Sequence, residues 1–317
     1  MTSPASGAPA FHRPAVSWLY VPGDRPERFA KAVASGADVV IIDLEDAVVP
    51  ARKDEARANV TAYVRERAST TSGAFSASGA ADAAEQAEQA EQAERAGSHV
   101  AIHVRVNDLT TPRGRDDVAA LAGLPGLDGL RLPKVESAGV LDALGDCPVP
   151  AYAVLESAAG ILAAPAIAAH PRVAGVALGE QDLAAELSIT DEAALNQLRL
   201  QVVLAAAAAG LPPVPMSVYP DVRDEAGLLA SCAAGRGIGM FGRAAIHPRQ
   251  IPVIRRAFTP TEEETARAAE IAEAAERAER EGLGAVALPD GRFVDAPIVA
   301  RARRTLALSC HLSPPPA

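Results

Sequence analysis

The sequence predicts an α/β fold: a (β/α)8 TIM barrel with a C-terminal helical extension. Three observations carry this. Eight short apolar segments alternate with stretches of helical spacing between residues 16 and 258. The run Asp38-Val-Val-Ile-Ile-Asp-Leu44 is β-branched and shows no polar alternation, as a strand covered on both faces requires. The 317 residues exceed the roughly 250 of one such barrel by a modest margin, which favours one barrel with extensions over two equal domains. A doubly wound open sheet would show the same alternation and is the alternative.

Residues 1–15, rich in Ser, Pro and Ala, read as a flexible arm. Val16-Ser-Trp-Leu-Tyr-Val21 is the first strand, and the turn Pro22-Gly23-Asp24 leads to helical spacing over Pro26–Ala34. The second strand, within 38–44, ends in Asp43-Leu-Glu45-Asp46, and helical spacing resumes over Arg52–Arg67. Residues 69–97 break the rhythm. A Ser/Thr/Gly/Ala stretch passes into Ala-Glu-Gln repeated three times over Ala84–Gln92, with helix propensity but no apolar stripe beyond alanine. This reads as a solvated insertion. Further strands are expected at Val100–Val106, Gly129–Leu132, Pro150–Leu155, Val173–Leu178, Val214–Val218 and Gly237–Phe241. An Ala/Glu/Arg helix covers Thr261–Glu281, and a Gly-containing hairpin-like piece and a last helix fill 282–308. The expected division is an arm (1–15), a barrel (16–258) and a C-terminal helical extension or lid (259–317).

A formal charge of -10 and a pI near 5.2, with no Lys/Arg-rich block, argue against nucleic-acid binding. A local basic pocket for an anionic cofactor is still allowed. Cys147, Cys232 and Cys310 are far apart and odd in number, as reduced thiols would be. The apolar run Leu200–Leu211 is too short to span a bilayer, and no segment joins a basic start, an apolar core and a cleavage site. The expectation is a cytoplasmic protein without membrane or nucleic-acid partners.

Two carboxylates stand out by position. Glu156 follows the apolar Tyr152–Leu155, and Asp182 follows Val173–Gly179, so each falls where a barrel strand delivers its C-terminal edge to the reactive face. Such a pair, with water and substrate completing the shell, suits Mg²⁺ better than zinc. The competing reading is a helix-capping Asp182 and a surface-paired Glu156. Arg105, near the end of the third strand, can grip a carboxylate or a developing oxyanion with its planar fork, or pair with a nearby acid. Lys134 occupies the equivalent edge of the fourth strand; it could form a Schiff base if desolvated, but an ordinary charged strand end or a partner that supports the other site residues fits better, and it is a candidate substrate contact with Arg105 and Glu156. Asp43 and Glu45 share a face by strand periodicity, so their repulsion calls for a cation, an arginine or a proton. Glu45 and Asp46 would then orient metal-bound water or Arg105; the competing reading is a solvated acidic turn.

Gly237-Ile-Gly239-Met-Phe-Gly242 has the spelling of a dinucleotide loop, but its glycines are expected inside the eighth strand rather than between a strand and a helix, which discounts a nicotinamide cofactor. The histidines form no ligand set, and no G-x-S-x-G context is present.

Leu19-Tyr-Val-Pro-Gly-Asp, Asp43-Leu-Glu-Asp-Ala-Val, Arg105-Val-Asn, Leu132-Pro-Lys, Glu156-Ser-Ala-x-Gly160, Gly179-x-x-Asp182-Leu and Gly242-Arg-Ala-Ala-Ile-His-Pro248 occur in this order. The chain thereby resembles the citrate lyase beta-subunit-like family, which includes malyl-CoA and citramalyl-CoA lyases, over roughly residues 16 to 308 apart from the insertion. The resemblance implies a (β/α)8 barrel, usually trimeric, with Mg²⁺ on Glu156 and Asp182 and the keto-acid oxygen on Arg105. The implied reaction is reversible carbon–carbon cleavage of a 3-hydroxyacyl-CoA to an acyl-CoA and a 2-keto acid. Val294-Asp295-Ala-Pro297 is similar to a motif whose aspartate enters a neighbouring subunit's site, which would make Asp295 a general acid/base; helix capping is its other reading. Arg25 and Lys31 are implied to meet CoA phosphates. Thioesterase or malate synthase activity, and a non-catalytic CoA-ester-binding subunit, are the alternatives.

Overall fold

The structure is a computed structural model, which describes residues 15–76, 100–281, 286–287 and 291–312. These fall into two units, one of residues 15–254 and one from Arg255 onward.

The first unit is built on seven parallel strands: β1 (Ser17–Pro22), β2 (Val39–Asp43), β3 (Ala101–Arg105), β4 (Gly129–Leu132), β5 (Ala151–Leu155), β6 (Val173–Leu178) and β7 (Arg243–Ala245). Their order is β6-β5-β4-β3-β2-β1-β7, every neighbouring pair is parallel, and helices fill the crossovers. All residues of β2 and β4 are buried, as the unalternating run in β2 requires. The two-residue period sends Leu19, Val21, Val40 and Ile42 into the buried core, while Trp18, Tyr20, Ile41 and Asp43 line a cavity. Register then sets the site: Asp43 lies beside Arg105, and Arg105 beside Arg131.

The last two expected strands differ from the structure. Val214–Val218 is not a strand. Met216 makes a single parallel bridge to Arg243, held by hydrogen bonds from Met216 N to Gly242 O and from Ala244 N to Met216 O, both 2.9 Å. Pro212, Pro213 and Pro215 have no N–H to donate, so a continuous ladder cannot form there. Gly237–Phe241 is not a strand either. The helix Glu225–Gly237 takes the first of these residues, and Gly239 and Gly242, at φ 94° and 77°, form the turn that precedes β7. The glycine hexapeptide is therefore a helix-to-strand connection rather than close packing within a strand.

The helix Lys53–Ser76 runs past Arg67 into the start of the expected insertion. Residues 77–99, including the Ala-Glu-Gln repeat, lie outside the described residues, as do residues 1–14 of the arm.

In the second unit, the helix Glu262–Arg280 starts with a capping box in which Thr261 and Glu264 satisfy each other's backbone N–H groups. The antiparallel pair β8 (Val286–Ala287) and β9 (Phe293–Val294) leads to the helix Ala296–Leu312. Thr265 and Ser309 hydroxyls meet at 3.2 Å, and Arg303 reaches Glu279 at 3.3 Å, joining the two helices.

Candidate active site

A cavity of about 380 Å³ opens within the first unit, where the strand ends of β2, β3 and β5 bring Asp43, Arg105 and Glu156 together with Asp46, Arg131 and Asp182. Its wall also includes Tyr20 and the 215–218 segment.

Arg105 is held before any ligand arrives. Its Nε and one Nη donate to the two oxygens of Asp43 at 2.8 and 2.7 Å, a planar fork on a carboxylate that is 1% exposed. The other Nη lies 3.0 Å from Glu45 and 3.3 Å from Asp46. The Glu45 contact is an ion pair without hydrogen-bond alignment, since that buried oxygen has no hydrogen-bond partner. The Tyr20 ring packs against the guanidinium, with Cζ 5.2 Å from its centroid. Burial pushes the Glu45 carboxyl up, although Arg105 and Lys134 draw it down.

Lys134 adopts φ 54°, in the left-handed region, and this aims its backbone N–H at Glu156 Oε1, 2.8 Å away. Its ammonium group binds Glu45, and its side chain is half exposed. Partial burial lowers its pKa, but Glu45, Asp46 and Glu156 together hold it above the ordinary lysine value. A Schiff-base lysine needs the opposite shift, so the geometry favours a charge that positions its neighbours.

Glu156 is 6% exposed and has no side-chain cation bonded to it among the described residues. Burial, and then the negative charge of Glu45, push its carboxyl up to about 7 against the pull of Lys134, and Asp182 raises it further. Gly179 makes room for it: a Cβ there would stand 2.5 Å from Glu156 Cβ and 2.7 Å from Oε2. Asp182 is exposed to the cavity, in the first turn of the helix Glu180–Leu187. Asp182 thus stands inside the helix, whose N-cap is Gly179, and not at the capping position of its competing reading. Among the described residues no three His, Cys, Asp or Glu side chains form a metal-holding group. A hard cation would therefore rest on the Glu156–Asp182 pair and take its other oxygens from water and ligand. The pair fits that role, because two mutually repelling carboxylates, one of them buried, have no cation bonded to them among the described residues.

The remaining expected residues lie elsewhere. Arg25 and Lys31 are exposed on the segment after β1, outside the cavity lining. Asp295 belongs to the second unit, where it caps the helix Ala296–Leu312 by accepting from Ile298 N at 3.4 Å. Sequence reasoning overlooked Tyr20 and Arg131, whereas the fork from Arg105 to Asp43 realises the pairing with a nearby acid that was the competing reading for Arg105. The one signal for Arg131 was a charge inside the apolar strand Gly129–Leu132.

Residues 16–77 and 71–248 match the family model described as HpcH/HpaI aldolase/citrate lyase. The chain belongs to this family. As a member it is an enzyme of the carbon–carbon lyase class. It is 38% identical over 298 residues to a (3S)-malyl-CoA thioesterase of Cereibacter sphaeroides, covering 92% of this chain and 93% of that relative. It is 31% identical over 308 residues to the citrate lyase subunit beta of Leuconostoc mesenteroides subsp. cremoris, covering 92% of each. Among solved structures it is similar to CitE of Mycobacterium tuberculosis in complex with magnesium, acetoacetate and coenzyme A. That likeness has a TM-score of 0.72 and 32% identity and covers 94% of this chain and 98% of that one.

Proposed function

We propose that this family member is a Mg²⁺-dependent CoA-ester lyase that reversibly cleaves a 3-hydroxyacyl-CoA of the malyl, citramalyl or citryl type into an acyl-CoA and a 2-keto acid. The observation that carries this reading is a carboxylate pair short of positive charge, Glu156 and Asp182, sharing one cavity with a preoriented Arg105. Held by that pair, Mg²⁺ would supply Lewis acidity toward the keto-acid carboxylate and its adjacent oxygen. The ligands of the CitE neighbour support this choice.

Arg105 is assigned the oxygen that becomes the keto group. Asp43 fixes two of its nitrogens, which leaves the third, in its looser contacts with Glu45 and Asp46, as the one to meet substrate. Glu45, Asp46 and Lys134 hold that nitrogen and the Glu156 carboxylate in place, and Lys134 also borders the substrate. In cleavage the hydroxyl gives its proton to solvent, the carbon–carbon bond breaks as the keto group forms, and the electron pair of that bond passes to the thioester enolate, whose carbon then takes up a proton. Asp295 is assigned that last transfer, from a neighbouring subunit of a homotrimer or higher homo-oligomer. Arg25 and Lys31 are assigned to CoA phosphates, the 214–218 segment to closing an eight-segment barrel, and the protein to the cytoplasm.

The test is incubation of purified protein and Mg²⁺ with a panel of hydroxyacyl-CoA thioesters, with products identified by mass. Acyl-CoA plus keto acid supports the lyase. The identity with a malyl-CoA thioesterase favours hydrolysis as the second reading, and free CoA released with an intact hydroxy acid would select it. No turnover of any thioester would reject both. Mixed oligomers of Asp295→Ala and Arg105→Ala chains should recover activity if sites are shared between subunits.

A further inference from the structure

Deep in the same cavity lies a charge that the reaction as described does not use. Arg131, on β4, is 3% exposed and lines the cavity, and no carboxylate pairs with it among the described residues. Its single hydrogen bond runs from Nε to His103 Nδ1, 3.3 Å away. Burial, reinforced by the positive charge of Arg131, keeps His103 well below the usual imidazole range, so the ring is neutral and that nitrogen is free to accept. The rest of the cradle is aromatic: Cζ stands 4.7 Å from the Tyr152 ring centroid and 6.0 Å from that of Trp18. The cradle itself is tightly set. The His103 and Tyr152 rings stack at 4.7 Å, and a Cβ on either Gly129 or Gly175 would meet Tyr152 at 2.8 Å.

Aromatic faces and a neutral imidazole orient a guanidinium without neutralising it. Burial lowers the Arg131 pKa, yet a guanidinium stays charged near neutral pH, and among the described residues both Nη groups are without a protein partner, which is costly unless an anion completes the site. Arg131 is the register neighbour of Arg105, so the two guanidinium groups come from adjacent strands of one wall. Tyr20, whose ring packs on the Arg105 guanidinium, lines the same cavity as Arg131, and burial raises its phenol pKa while both arginines draw it down. A ligand whose keto oxygen meets Arg105 thus has a second cation further into the cavity.

We propose that Arg131 receives a second carboxylate on the keto-acid part of the substrate, so that the enzyme favours a dicarboxylic 2-keto acid such as oxaloacetate, and hence a citryl-type thioester. This rests on the lyase reading above and narrows its substrate class. Arginine suits the task because its fork matches a carboxylate with two parallel hydrogen bonds. Arg131 is here a substrate-binding and specificity residue and takes no part in bond breaking.

The test compares two ligands that differ by one carboxylate, fresh oxaloacetate and pyruvate, titrated calorimetrically into the Mg²⁺-loaded protein. The wild type is expected to prefer oxaloacetate by about tenfold or more, the worth of one charge-assisted pair. Arg131→Met should bring the two affinities within about threefold while leaving that for pyruvate nearly unchanged, and Arg131→Lys should fall between. Retained pyruvate binding certifies the fold of each variant; should the Met variant lose it, Arg131→Gln gives the same comparison. Equal affinities in the wild type, or an unchanged ratio in the variants, overturn the assignment and leave the lyase reading standing. Binding of neither keto acid to the wild type overturns both.

Discussion

The two sides of the cavity handle charge in opposite ways. On the β2–β4 side, Asp43, Glu45 and Asp46 face Arg105 and Lys134, and each acid touches at least one cation within 3.3 Å. On the β5–β6 side, Glu156 has only the backbone N–H of Lys134, and Asp182 has no ion pair among the described residues. The first side is a closed network whose geometry is set before ligand enters. The second stores repulsion that a divalent cation would relieve. A charge-paired cluster is suited to positioning a ligand, and an unpaired one to binding a cation.

The largest effect should come from the unsatisfied side. Asp182→Ala, on an exposed residue that contributes little to folding, is expected to lower Mg²⁺-dependent thioester cleavage by roughly three orders of magnitude, about 4 kcal/mol, with an unchanged circular dichroism spectrum. Turnover near the wild-type rate would remove the carboxylate pair from the site.

Glu156 sets the next effect. Its carboxyl is raised from 4.5 to about 7 in the folded protein, so the fold favours its neutral form. The stability this provides is fully present below about 4.5 and is lost as pH rises through about 7, a change on the order of 3 kcal/mol. Thermal melts of metal-free protein should therefore decline from pH 5 to pH 8, and both Mg²⁺ and Glu156→Gln should flatten the slope. A slope that persists in Glu156→Gln would trace the effect to another group.

On the satisfied side, Arg105→Lys keeps the charge and loses the fork to Asp43. A fall in kcat of about a hundredfold is expected with little change in Mg²⁺ affinity, because orientation rather than charge is removed. A matching loss of metal binding would mean that the two sides are coupled more tightly than their contacts indicate. The smallest effect should be Gly179→Ala, whose Cβ would crowd Glu156. Metal titration should register about a tenfold weaker site, with roughly 1–3 kcal/mol lost in denaturant unfolding. Unaltered affinity would show that Glu156 can shift without consequence.

Six strands and the positions of Glu156, Arg105 and the Asp43–Asp46 cluster were legible along the chain, because β-branched runs and abrupt strand ends are local signals. The seventh and eighth segments were not. Apolar residues around Met216 resemble a strand until the prolines' missing donors are counted, and Ile238, Met240 and Phe241 sit among glycines that turn rather than extend. Asp182 was found as a residue but not as part of a helix, since helix starts are among the least legible boundaries.

The sequence by itself determined the alternating α/β class, the family motifs and which acids and bases stand at strand ends, for these depend on neighbours within a few residues. Only the tertiary structure decided which charges meet. Asp43 and Arg105 are 62 positions apart, and strand register alone brings them to 2.7 Å. The same register and the alternation of side chains across the sheet turn Arg131 toward the cavity instead of toward a helix. Whether a charge is paired or left open is a property of that long-range packing, and no window of the chain contains it.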